Sequence, residues 1–141
     1  MINVFLPKKK KVVRKKHTVS NASLKKVKNA YELPIQTATI VPTTSSVSKK
    51  ISVQSIKMRV NETRKFLSSL FGGYTSSRNT GGYVTKNGKL VKESVIVVTS
   101  YANKKVFLKN KSKWIAWVRS KKKSWGQESI GIIIENDMFY V

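Results

Sequence analysis

Apolar and polar positions along this chain fall into two regimes that meet near residue 50. From Ile51 onward they recur with the periods of strands and helices; before it they do not. Ile51, Val53, Ile56, Met58 and Val60 predict a first strand over residues 51–60, with a phase slip at Gln54-Ser55. Asn61 then suits a helix N-cap, and Glu62 the positive first turn behind it. Phe66, Leu67, Leu70 and Phe71 make one apolar stripe, and Gly72-Gly73 supply the left-handed residue that ends a helix. Tyr83 to Lys86 and Lys89 to Tyr101 read as strands joined at Asn87-Gly88, with Ser94 to Val98 apolar enough for a central position. A second helix is predicted from Lys104 to Trp125, with Phe107, Leu108, Trp114, Ile115, Val118 and Trp125 on one side. Lys111, Lys121 and Lys122 intrude on that side, where their stems can snorkel. Ile130, Ile132 and Ile134 mark a strand over 129–135, Asn136-Asp137 a turn, and Met138 to Val141 a returning strand.

Strand, helix, hairpin, helix, strand is the order of a split βαβ unit. The expected class is α+β: a ferredoxin-like β-α-β-β-α-β sandwich over residues 51–141, both helices on one face of an antiparallel sheet. Residues 1–50 are expected to form an extended, basic, Ser/Thr-rich arm, with Pro34 and Pro42 favouring extended backbone. Other α+β sandwiches and a swapped dimer of the same unit remain alternatives.

Charge changes this picture more than any other property. Lys and Arg number 29 against 6 acids, a formal charge of +23 in 141 residues. Self-repulsion on that scale points to a polyanionic partner, and a phosphate backbone releases its own counterions when such a chain binds. Lys8, Lys9, Lys10, Lys11, Arg14, Lys15 and Lys16 form the densest run. It reads first as a phosphate-binding arm; a nuclear-import signal and an organelle transit peptide are the alternatives. Lys105, Lys109, Lys113 and Lys123 form a stripe on the outer side of the second helix, and Arg78 adds a cation near the glycines. Tyr74, Tyr83 and Tyr101 are candidates for stacking on bases. Lysine outnumbers arginine in the arm, which suits weakly specific backbone contact, to DNA or RNA alike.

The chain has no cysteine and a single histidine, His17, which excludes thiolate chemistry and any site needing two imidazoles. No metal site or cofactor is expected, and no apolar run reaches the ~18 residues of a membrane span. Met1 to Pro7 places its apolar residues ahead of the lysines, the reverse of a secretory signal.

Two short motifs stand out: Phe71-Gly72-Gly73-Tyr74-Thr75-Ser76, and Trp125-Gly126-Gln127-Glu128 before the last strands. With them and the Gly-Tyr strand ahead of the hairpin, residues 57–141 resemble a small uncharacterised ferredoxin-like family of bacteria, phages and other mobile elements. The resemblance implies the fold and a viral or plasmid-like origin, and no chemistry. Read from its residues alone, Gly72 to Arg78 is either a phosphate cradle or a helix cap followed by a turn. Gln127 and Glu128 either lie beside that loop or cap the preceding helix.

The leading expectation is therefore a non-catalytic, weakly sequence-specific nucleic-acid-binding protein. The alternative is a structural component of a virion or ribonucleoprotein particle, with protein neighbours. Were the chain an enzyme, general acid–base work would fall to Glu62, Glu93 or Glu128, since no histidine lies in the domain.

Overall fold

Two buried threonines lie at the centre of the sheet. Strand β1, Ile35–Pro42, turns Thr37, Thr39 and Val41 toward the core. Buried hydroxyls need partners, and both have them. Thr37 Oγ1 donates to the Ser100 carbonyl at 3.1 Å, and the Trp114 indole N–H donates to Thr39 Oγ1 at 2.9 Å. The computed structural model describes residues 31–46 and 49–141, of which those from Leu33 to Val141 form one compact unit.

After β1 come two short paired strands, β2 (Thr44–Ser45) and β3 (Lys49–Lys50), then helix α1 (Val53–Phe71). A hairpin follows, β4 (Thr75–Val84) and β5 (Leu90–Ala102), then helix α2 (Lys104–Ser124) and a closing pair, β6 (Gly131–Ile134) and β7 (Asp137–Tyr140). The main sheet has the order β4-β5-β1-β6-β7, with every neighbouring pair antiparallel. This is a mixed α and β domain with an antiparallel sheet and two helices.

Both helices pack on one face. Ile96, Val98 and Ala102 of β5, Val41 of β1 and Ile132 of β6 join Val60, Leu67 and Phe71 of α1 and Phe107, Trp114 and Val118 of α2 in one cluster. Aromatic contacts lock the two helices together. Phe66 stacks on Trp117 with centroids 4.5 Å apart, and Phe71 meets the Trp114 ring edge-on at 5.9 Å. Such pairs add about 0.5–1.5 kcal/mol each beyond the area they bury.

The sequence expectations need correction at the front of the domain. Residues 51–60 do not form a strand: helix α1 starts at Val53, with the Ser52 hydroxyl capping the Ser55 N–H at 3.1 Å. Val53, Ile56, Val60, Thr63, Leu67 and Phe71 follow helical spacing, so the slip at Gln54-Ser55 marks the helix rather than a bulge. Asn61 is accordingly an exposed mid-helix residue and no cap. The first strand is instead β1, inside the stretch expected to be arm, because its inward threonines disguise a core strand as polar sequence. Thr75 to Arg78, read as part of the glycine-rich loop or turn, are the first residues of β4. Leu108, assigned to the apolar side of α2, is 61% exposed.

Other elements lie where the pattern predicts. Gly72 ends α1 at φ 97° with its N–H on the Ser68 carbonyl. Helix α2 starts one residue after its Asn103 cap, whose side chain accepts from the Val106 N–H at 2.8 Å. Two of the three intruding lysines lie over rings, Lys111 over Phe107 and Lys121 over Trp117, and the helix runs past Lys121 to Ser124.

One side chain ties three chain segments together. Arg59 of α1, only 7% exposed, donates to the carbonyls of Pro42 and Thr44 at 2.8 Å each and of Trp125 at 3.1 Å. Burial pushes this guanidinium below its ordinary pKa, by desolvation of the charged form. Gln127 donates to the same Thr44 carbonyl at 2.7 Å, and Ser46 N–H reaches the Gly126 carbonyl at 2.8 Å. Gly126 has φ 62°, and a Cβ there would sit 2.5 Å from Ser45 Oγ.

Two substitutions test this joint. Arg59→Leu strips a charged donor from three carbonyls and should cost about 3 kcal/mol, read as a lowered denaturant midpoint. Arg59→Lys, which lacks the planar fork, should recover only part of that. Gly126→Ala should cost about 1–3 kcal/mol. Combining it with Ser45→Ala should relieve the clash and leave only the backbone term, about 1 kcal/mol.

Candidate active site on the β4–β5 ribbon

Strands β4 and β5 pair from Thr75↔Thr99 to Val84↔Leu90, whereas β1 stops covering β5 at Pro42↔Val95. The last five pairs therefore form a two-stranded ribbon with no third strand beside it. Alternation along a strand sends successive side chains to opposite faces. Asn79, Gly81 and Tyr83 share the face away from the helices with Val91, Glu93 and Val95; Arg78 and Ser94 lie on the helix side.

Glu93 is half-buried on a ribbon whose other residues are mostly exposed. Gly81 stands directly opposite it, and a Cβ added at Gly81 would meet nothing within 4 Å, so open space lies beside the carboxylate. Tyr83, half-buried, is its diagonal neighbour, within reach of a long side chain. Among the described residues Glu93 makes no ion pair or hydrogen bond through its side chain. In a chain with 29 cations, that is an unusual state for a partly buried carboxylate.

The other two carboxylates named from sequence are differently placed. Glu62 on α1 binds Lys121 of α2 at 3.0 Å. Glu128 is exposed in the link between α2 and β6 and has an interaction of its own. The three do not gather into a metal site, and no group of three His, Cys, Asp or Glu among the described residues does. No helix among them is long and apolar enough to cross a membrane.

The residues assigned to nucleic acid that the structure describes are divided between the two sides of the sheet. Lys8, Lys9, Lys10, Lys11, Arg14, Lys15 and Lys16 lie outside the described residues. Lys105, Lys109, Lys113 and Lys123 are exposed along α2 on the helix side of the sheet. Tyr83 of β4 and Tyr101 of β5 point to the other side, and Val91, opposite Tyr83, is about 33 Å along β5 from Tyr101 at 3.3 Å per residue. Tyr74 instead packs under Arg64, whose guanidinium carbon is 5.2 Å from the ring centroid.

The glycine motif is cap plus strand. Gly72 closes α1, the Gly73 carbonyl accepts from the Ser100 hydroxyl, and β4 begins at Thr75. Gln127 lies against Thr44 and Trp125, not beside that loop. Arg59 and Arg64, which order these elements, were not singled out from the sequence. Two arginines among 29 cations carry no pattern of their own; only the helical phase of α1, which turns Arg59 inward, could have marked one.

No protein-family model matches the chain, and no curated protein matches it. Two solved structures do. A phage SAM lyase in complex with S-methyl-5'-thioadenosine aligns with a TM-score of 0.56 at 14% identity, over 82% of this chain and 94% of that one. A phage SAM lyase in its apo state aligns with a TM-score of 0.53 at 15% identity, over 76% of this chain and 87% of that one. At such identity the likeness is one of fold. Both neighbours are nonetheless enzymes, and this corrects the expectation of a non-catalytic nucleic-acid-binding or virion protein, which rested on charge alone.

Proposed function

We propose that this chain is an enzyme that binds S-adenosylmethionine and cleaves one of its carbon–sulfur bonds, with Glu93 facing the sulfonium. The observation that carries the proposal is the half-buried Glu93 carboxylate, unpaired among the described residues, beside Tyr83 and the space at Gly81, on a fold shared with phage SAM lyases. A phage origin accords with the same neighbours.

The electrostatics favour this placement. A sulfonium is a fixed cation, and a chain at +23 repels it everywhere except where a carboxylate or an aromatic face reverses the local field. Glu93 supplies the first and Tyr83 the second. The ribbon's apolar Val91 and Val95 flank the carboxylate and lower the local dielectric, which strengthens the attraction.

Cleavage to S-methyl-5'-thioadenosine breaks the bond between sulfur and the γ carbon of the methionine part. The electron pair stays on sulfur, which becomes a neutral thioether. The carboxylate of the same amino acid attacks the γ carbon and closes a lactone, so no water, base or redox partner enters the balance. The protein's task is to hold that chain bent and its sulfonium oriented, which is catalysis by positioning. Glu93 anchors the sulfonium, and Gly81 leaves the room in which the chain bends.

The finer description of the fold, a ferredoxin-like β-α-β-β-α-β sandwich, is part of this proposal. Its support is the chain order β1-α1-β4-β5-α2-β6 with β4-β5-β1-β6 side by side, each helix crossing over a strand placed between its ends.

Incubating the full chain with S-adenosylmethionine and following thioadenosine release by liquid chromatography tests the activity directly. Turnover that falls about 10²–10³-fold in Glu93→Gln, with an unchanged melting temperature, is the expected result. No product together with no binding of S-adenosylmethionine by the wild-type chain would overturn the proposal. In binding assays, Glu93→Gln should weaken S-adenosylmethionine at least tenfold while sparing the neutral thioether product. Gly81→Val fills the space opposite Glu93 on an exposed strand; KM should rise about tenfold or more without loss of stability.

A further inference from the structure

The helix side of β4, ahead of that ribbon, holds a second group of charged residues that the Glu93 site does not use. Arg64 of α1 rests on the Tyr74 ring and donates through Nη2 to Ser76 Oγ at 2.7 Å. Its Nε is closed off from water and has no partner. Two residues beyond Ser76, on the same side of β4, Arg78 is exposed and donates to Ser94 Oγ at 3.1 Å. Neither guanidinium meets a carboxylate among the described residues.

The contrast with Arg59 is informative. That guanidinium is buried and engaged by three carbonyls, a structural cation with its donors satisfied. Arg64 has one neutral hydroxyl for five donors, one of them idle and dry, and this is a costly arrangement for a charged group. The pair brings two guanidinium forks, together with the hydroxyls of Ser76 and Ser94, whose oxygens accept from the arginines and whose O–H groups can donate. Ser76 and Arg78, residues i and i+2 of β4, lie about 7 Å apart, so Arg78 starts one strand repeat from the hydroxyl that Arg64 reaches from α1, within the length of an arginine side chain. A single carboxylate is matched by one fork; a tetrahedral dianion uses two and still accepts from a hydroxyl.

We propose that Arg64 and Arg78 form an oxyanion site for a phosphate dianion, free or as a monoester, on the helix side of β4, opposite the sheet face that carries Glu93. Tyr74 holds Arg64 in place by cation–π contact, and Arg78 swings from its exposed neutral bond at Ser94 to a charged one on the anion. The exchange is favourable because charge-assisted bonds are roughly twice as strong as neutral ones. The site does not depend on the reading of Glu93.

The test must separate this pair from the general basicity of the chain. Full-length protein is titrated with inorganic phosphate, and in a second arm with methyl phosphate, following ³¹P line broadening and melting temperature at fixed ionic strength. Arg78→Gln, exposed and harmless to the fold, is compared with Lys109→Gln, which removes the same charge from α2. The expected result is saturable binding in both arms, weakened at least tenfold by Arg78→Gln and by Arg64→Gln, and unchanged by Lys109→Gln. Binding by methyl phosphate as well as phosphate assigns a monoester site; binding by phosphate alone assigns a site for the free ion. Non-saturating binding, or equal losses in Arg78→Gln and Lys109→Gln, would sink the proposal.

Discussion

A buried guanidinium cannot be left unpaired, and much of this domain's architecture follows from how Arg59 is satisfied. Desolvating the charge costs several kcal/mol, and only good geometry to several acceptors offsets it. The acceptors come from three places: the end of β1, strand β2 and the last residue before the α2–β6 link. Helix α1 must therefore lie across the exit of β1, and α2 must stop where the Trp125 carbonyl can face back toward α1. Gln127 and Ser46 bind the same two segments to each other, and Gly126 is the residue whose missing Cβ lets them approach. The Trp-Gly-Gln motif is thus a clasp around Arg59, while the aromatic stack of Phe66 and Trp117 closes the seam between the helices further along.

That clasp also explains where chemistry can be placed. It stiffens the end of the sheet from which β4 and β5 project, so the ribbon extends from a fixed base. The two sides of this sheet end differ in character. The ribbon's outer face carries Glu93, an acid without a partner among the described residues; on the helix side, Arg78 of β4 and Arg64 of α1 meet no carboxylate among them. Net charge describes what the whole surface attracts at a distance, but not which local group binds.

How much of this was legible in the sequence depends on which residues carry the core. Helix α2 was readable because Trp114 and Val118 are large, apolar and helically spaced, and the end of α1 because Gly72-Gly73 is unambiguous punctuation. Strand β1 was not, because two of its inward positions are threonines whose burial depends on partners in distant segments, Ser100 and Trp114. Without β1, the apolar run at 51–60 had to serve as the first strand, although its spacing fits a helix equally well. Strand β4 was missed for a related reason: as one half of a projecting ribbon it buries almost nothing, so it shows no alternation to read.

The candidate site was half legible on the same terms. Glu93 was named among three carboxylates, and nothing in the sequence ranked it above Glu62 or Glu128. Only the tertiary structure shows that Glu62 is neutralised by a lysine 59 residues away, while Glu93 faces a glycine. The lysines, by contrast, were conspicuous in sequence and turn out to be solvated along α2. Abundance made the charge visible, and scarcity of partners is what gives a charge a task. Among the described residues, half-buried Glu93 and the arginines Arg64 and Arg78 answer to that rule, the acid on the outer face of the sheet and the arginines on its helix side.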